Sequence, residues 1–250
     1  MAYAESIAVD WPAPSRVRTV VTTRHGGVSE GPYASFNLAT HCGDEPSRVA
    51  ENRRRLTATH GVPSVCWLNQ VHGTDVVDAG ADHTLPPTAD ASWSRVAARA
   101  CAILTADCLP VLICNRDATL VAAAHCGWRG LASGVLGALV GRLRVRGDDL
   151  LAWLGPAIGP ARYEVGTDVR DAWLETHAAA SVAAALRPSL VVGKWQADLY
   201  TIARAQLSAL GVTAIFGGGF CTYDETRFYS FRRDGVTGRM ASLIWLSDDP

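Results

Sequence analysis

Apolar residues change their spacing several times along this chain of 250 residues, and each change predicts an element. Residues 17–23 form a β-branched run that predicts a strand, closed by the turn-forming Arg24-His25-Gly26-Gly27. Residues 31–43 hold no period and read as an ordered loop punctuated by Asn37 and His41. From Pro46 to Thr59 the composition turns helical, with Pro46 suited to a first turn after Asp44-Glu45. Short strands are expected at 65–69 and 75–78.

Three apolar strands follow in succession, at 102–105, 109–114 and 120–125. Leu131, Val135, Leu136, Leu139, Val140 and Leu143 then recur at helical spacing, so a helix is expected immediately after Gly127-Trp128-Arg129-Gly130. A strand at 150–154 ends in the turn-rich Gly155-Pro156-Ala157-Ile158-Gly159-Pro160. Helices at 169–177 and 197–210 and strands at 213–216, 228–231 and 242–246 complete the prediction. So many strands in a row, with fewer helices between them, favour mixed or antiparallel sheets covered by helices. The expected class is α+β.

Composition narrows the picture. With 48% hydrophobic residues the chain can bury a sizeable core, and no linker or internal repeat divides it. One domain spanning 1–250 is expected. Charged residues make up 19% and the net charge is −1, which argues against a duplex nucleic acid partner. One or two arginines still suffice for a nucleotide-sized anion. The run 101–128 is interrupted by Asp107, Pro110, Asn115, Arg116 and Asp117, so no membrane span is expected. The first residues lack a basic stretch before an apolar core, and the seven cysteines form no small-scaffold pattern. A cytoplasmic chain with reduced thiols is expected, with Cys42, Cys66, Cys101 and Cys114 mostly small core residues.

The candidate chemistry lies where apolar runs stop. Cys108 stands in Thr105-Ala106-Asp107-Cys108-Leu109-Pro110, His125 in Ala124-His125-Cys126-Gly127 and His72 in Asn69-Gln70-Val71-His72-Gly73. Two imidazoles and a thiol make a three-ligand zinc set with a fourth position open. The same residues also suit a nucleophile pair, with Cys108 attacking and His125 as its base. Asp107 beside Cys108 is an unusual companion for a merely buried thiol, and adjacency makes it a candidate proton shuttle. Arg129, at the start of the expected helix, is an anion-binding candidate, as are Arg24, Arg232 and Arg233. Each has a structural alternative: a turn-capping histidine, a packed thiol, or arginines paired with carboxylates such as Asp234.

These motifs, together with Thr22-Thr23-Arg24, Gly155-Pro156-Ala157-Ile158-Gly159, Tyr163-Glu164-Val165, Cys221-Thr222 and Phe231-Arg232-Arg233-Asp234-Gly235, resemble one family. It is the laccase-domain purine nucleoside phosphorylases, also named multicopper polyphenol oxidoreductases, which include the peptidoglycan editing factor. The resemblance runs from about Val17 to Leu246. Cys126 departs from it where alanine is usual, as does Cys42 where valine is usual. The resemblance implies an α-β-β-α sandwich related to cysteine hydrolases and a zinc site of His72, Cys108 and His125. It implies phosphorolysis of adenosine, inosine, guanosine and S-methyl-5′-thioadenosine, so that purine nucleosides and phosphate are the partners, with adenosine deamination besides.

Three rival functions are distinguishable. A copper oxidase would use two histidines, a cysteine and a weak axial methionine, but only Met1 and Met240 are available. None of the seven histidines forms a His-x-His pair. Copper remains an alternative ion for the same ligands, because it outcompetes zinc at such sites. A cysteine hydrolase that edits peptidoglycan precursors would survive chelation and form a Cys108 adduct. A non-catalytic metal-binding protein would turn over no nucleoside. Oligomeric state is not legible.

Overall fold

The structure is a computed structural model that describes residues 4–248. Its strands, in chain order, are β1 (Ser6–Ile7), β2 (Val17–Thr22), β3 (Ser64–Cys66), β4 (Val76–Asp78), β5 (Ala91–Ser94), β6 (Arg99–Thr105) and β7 (Leu109–Asn115). Then come β8 (Val121–Cys126), β9 (Leu150–Leu154), β10 (Glu164–Val165), β11 (Leu186–Pro188), β12 (Trp195–Ala197), β13 (Ala214–Gly217) and β14 (Met240–Leu246). The helices are α1 (Pro46–His60), α2 (Trp128–Ser133), α3 (Val135–Leu143), α4 (Thr167–Thr176), α5 (Ala179–Ala185), α6 (Leu199–Ala209) and α7 (Phe231–Asp234).

Two mixed sheets carry the fold. One runs β1-β2-β14-β6-β3 and the other β13-β9-β7-β8-β5-β4, while β10-β12-β11 form a small antiparallel sheet. Side chains alternate across each strand, and the alternation sorts the core into layers. From β7, Leu112 and Cys114 meet Val21, Ile103 and Ile244 of the first sheet in one apolar cluster. Leu109, Val111 and Ile113 of the same strand face the other way, against Leu131, Leu136, Leu139, Trp173 and Ile202 of the helices. Phe36, Leu38 and Leu56 cover the outer face of the first sheet at Val20, Leu104 and Leu243. Every residue of β7 is buried, which is why its sequence reads as a continuous apolar run without alternation. Among the described residues no helix is long and apolar enough to cross a membrane.

The structure departs from the sequence expectations at several places. The single helix expected after Gly130 is two, because Gly134 adopts φ 87 and ends α2 before α3 begins. The first turn of α2 already includes Trp128 and Arg129. The strand expected at 228–231 does not form. Phe228 and Tyr229 are buried, but their N–H groups go to the Glu225 carbonyl and Met240 Sδ rather than to a neighbouring strand. Ser230 then caps α7 by accepting from the Arg233 N–H. Strand β5 was not anticipated, since Ala91-Ser92-Trp93-Ser94 mixes small and polar residues, yet it lies between β4 and β8. Helix α5 and the small sheet were also missed. All seven cysteines are free; Cys101 and Cys114 are buried, whereas Cys42 and Cys66 are half-buried.

Candidate metal centre

The antiparallel pairing of β7 with β8 sets Leu109 opposite Cys126 and Pro110 opposite His125. Cys108, at the turn entering β7, therefore stands beside His125 at the end of β8. The third group comes from the loop between β3 and β4, where His72 takes the left-handed φ of 61 just before Gly73. The ligand atoms of His72, Cys108 and His125 all lie within 4.8 Å of one another. Cys108 Sγ is 3.7 Å from His72 Nε2. Zn–S and Zn–N bonds of about 2.3 and 2.1 Å at tetrahedral angles would separate such atoms by roughly 3.6 Å, so the donor set fits that ion.

One buried acid organises two of the three groups. Asp90, just before β5, is 0% exposed. Its carboxylate accepts the backbone N–H groups of Val71, His72 and Gly73 at 3.1, 2.9 and 2.7 Å. It also accepts His125 Nδ1–H at 2.8 Å, which turns Nε2 toward the site. Four N–H groups thus converge on one side chain, and they hold its carboxyl below the usual range against the opposing effect of burial. Gly127 completes the cradle. A Cβ there would stand 2.8 Å from His72 Cδ2 and 3.1 Å from Cys108 Sγ, so only glycine lets both side chains lie over this backbone.

Electrostatics favour the ligand form of the thiol. Burial opposes ionisation of Cys108, but the neighbouring His125 charge and hydrogen bonds from both imidazoles hold it down to about 6. Burial likewise works against charge on His125, yet the Cys108 thiolate and the Asp90 carboxylate raise it to about 9. Cys126, one residue on, is buried and pushed well above the usual thiol range. It remains an inert core group.

The triad opens on a pocket of about 500 Å³, whose walls include Asp107, Trp128, Arg129, Tyr163, Phe231 and Arg232. His72 is exposed, Cys108 half-buried and His125 buried, so one face of the cluster looks into this space. Arg129 stacks on Trp128 at 4.3 Å and Arg232 on Tyr163 at 5.2 Å. Asp107 has φ 98, and its carboxylate accepts Thr222 Oγ1–H and the Arg232 N–H, both at 2.6 Å.

Arg24 and Arg233 are not part of the pocket wall. Arg24 donates to the Ala34 carbonyl and lies over the Tyr229 ring. Arg233 donates to the carbonyls of Thr222, Tyr223 and Phe228 and pairs with Asp234. Sequence reasoning missed Asp90 and the pocket positions His41 and Arg239. An isolated acid among small residues, Thr88-Ala89-Asp90-Ala91, was the available signal for the first.

The family model described as multi-copper polyphenol oxidoreductase laccase matches residues 18–247. A purine nucleoside phosphorylase of Pseudomonas aeruginosa is 58% identical over 241 residues, covering 96% of this chain and 97% of that one. Purine nucleoside phosphorylase YfiH of Escherichia coli is 50% identical over 242 residues, covering 96% and 98%. The crystal structure of Neisseria meningitidis protein NMB0706 superposes with a TM-score of 0.92 at 49% identity, covering 97% of this chain and 99% of the other. The chain belongs to the multi-copper polyphenol oxidoreductase laccase family.

Proposed function

We propose that this protein is a zinc-dependent purine nucleoside phosphorylase acting on adenosine, inosine, guanosine and S-methyl-5′-thioadenosine, with adenosine deamination as a second reaction. The observation that carries the reading is the convergence of His72, Cys108 and His125 at the wall of an arginine-lined pocket. The names of the relatives from Pseudomonas aeruginosa and Escherichia coli support the substrate class. Zinc held by the two imidazoles and the thiolate would supply a Lewis acid and, for deamination, an activated water. Asp90 keeps His125 in the tautomer that presents Nε2.

Phosphorolysis needs a phosphate anchored near the ribose carbon. Arg129 and Arg232 are assigned to it because both line the pocket and, among the described residues, neither is neutralised by a carboxylate. Asp107, the candidate proton shuttle, is assigned to positioning instead: its two oxygens already receive Thr222 Oγ1–H and the backbone N–H of Arg232, so it holds the start of α7. Arg24 and Arg233 are assigned to holding the loops behind the pocket.

A hydrolytic Cys108–His125 pair is the second reading, favoured by the lowered Cys108 and raised His125. A copper oxidase gains less support, since Met240 is buried with its sulfur on the Tyr229 N–H and does not line the pocket. Metal analysis paired with phosphate-dependent release of adenine from adenosine tests the assignment. Chelation should abolish release and zinc restore it. Retained phosphorolysis in both Cys108→Ala and His125→Ala would refute the reading, and a covalent Cys108 adduct with an electrophilic analogue would favour the hydrolase.

A further inference from the structure

The pocket carries more positive charge than one phosphate needs. Arg129, Arg232 and Arg239 all line it, and among the described residues none of them pairs with a carboxylate. Arg232 donates to the Glu164 carbonyl and Arg239 to the carbonyls of Thr237 and Gly238, contacts that orient a guanidinium without neutralising it. Asp107 is the single acid in the described wall, and its oxygens are already engaged. Asp44, the acid nearest His41 in sequence, is turned away onto Ser29 and Asn37.

The charges fall into two groups. Tyr163 lies in the field of both Arg232 and Arg129. Arg239 instead is tied to the loop that carries His41: its N–H donates to Asn37 Oδ1 at 2.9 Å and its carbonyl accepts the Leu38 N–H at 3.3 Å. Each pocket arginine also rests on a pocket aromatic: Arg129 on Trp128, Arg232 on Tyr163 and Arg239 on Phe231 at 5.9 Å. Phe231 is 59% exposed at the pocket wall, a large apolar surface for water to meet unless a flat ligand covers it.

We propose that the pocket holds two anion positions, one at Arg129 and Arg232 and a second at His41 and Arg239, so that purine nucleosides carrying an anionic 5′ group bind it more tightly than the neutral nucleosides it turns over. The base stacks on Phe231 and the ligand's own phosphate meets Arg239, while inorganic phosphate keeps the first position. This deepens the phosphorylase reading and rests on it for the first position. A volume of about 500 Å³ lies within the range of about 300–1,000 Å³ usual for small-molecule sites, so one nucleotide is a reasonable occupant.

Calorimetric titration of the zinc-loaded protein with adenosine 5′-monophosphate and with adenosine, both in saturating inorganic phosphate, tests it. The monophosphate should bind at least about 10-fold more tightly at low ionic strength, and the advantage should shrink with added salt. Arg239→Gln and, separately, the milder His41→Gln should each reduce it, and Arg239→Lys should restore part of it. Equal affinities would overturn the proposal. So would an advantage seen only without inorganic phosphate, which means one shared position, or one unchanged in the Arg239 and His41 variants. Adenine release from adenosine is read separately, so failure of the phosphorylase assignment shows as lost turnover with the binding difference intact.

Discussion

Asp90 and His125 are joined twice: the Asp90 carboxylate accepts His125 Nδ1–H at 2.8 Å, and the Asp90 carbonyl accepts the His125 backbone N–H at 2.7 Å. The same carboxylate holds the turn that presents His72. A residue outside the ligand set therefore sets the position of two ligands at once.

Asp90→Asn should consequently act on the metal before it acts on the fold. An amide cannot accept all four N–H groups, because its NH2 would point at backbone donors of the His72 turn. Loss of outer partners of this kind typically weakens metal binding by about 10–100-fold. Competition against a chelator of known affinity measures it. Unchanged zinc affinity would show that His72 and His125 hold their places without this acid.

Gly127→Ala isolates the same site from the other side. Gly127 has φ −73, so alanine strains no backbone there. The added methyl instead presses on His72 and Cys108. Zinc affinity should fall while the thermal midpoint of the metal-stripped protein moves little. A large fall in that midpoint would mean that the glycine serves packing rather than the ligand cradle.

The thiol offers a pH test in the metal-stripped protein. Thiolate is the reactive form, and Cys108 is held down to about 6, so its alkylation by iodoacetamide should rise as pH climbs through about 6 and level off above about 7. His125→Ala removes the largest opposing charge and leaves burial in command, so the midpoint should move up past the ordinary thiol value. Cys126 is buried and pushed well above that value, so it should stay unlabelled across this range. Peptide mapping of the label distinguishes the two neighbours.

Much of this site was legible because chemistry and chain punctuation coincide. His125 and Cys108 stand at opposite ends of paired runs, β8 and β7, whose apolar patterns mark both strands. Asp90 was not legible: its importance comes from contacts to Val71 and His125, 19 and 35 residues away, and no local pattern encodes them. Strand β5 was hidden for a related reason. Its Ala91, Ser92 and Ser94 are small because both neighbours crowd them, and small residues carry no strand signal. At 228–231 the aromatic run mimicked a strand, yet Phe228 and Tyr229 fill the end of the core and Ser230 turns the chain into α7.

The arginines call for a divided experiment, because identical residue types occupy opposite roles. Arg233 donates to three backbone carbonyls and pairs with Asp234, and its side chain is only 20% exposed. Truncating it strands those acceptors, at a cost on the order of 1–3 kcal/mol. Arg129 is exposed, with its guanidinium over Trp128, and among the described residues it touches no carboxylate. Arg129→Ala should leave urea unfolding nearly unchanged and raise KM for phosphate, whereas Arg233→Ala should shift the urea midpoint down with a smaller effect on KM. The sign of the contrast is what counts. If Arg233→Ala raised KM for phosphate with unfolding untouched, the anion would sit behind the pocket wall, and the assignment of Arg129 and Arg232 to phosphate would fall.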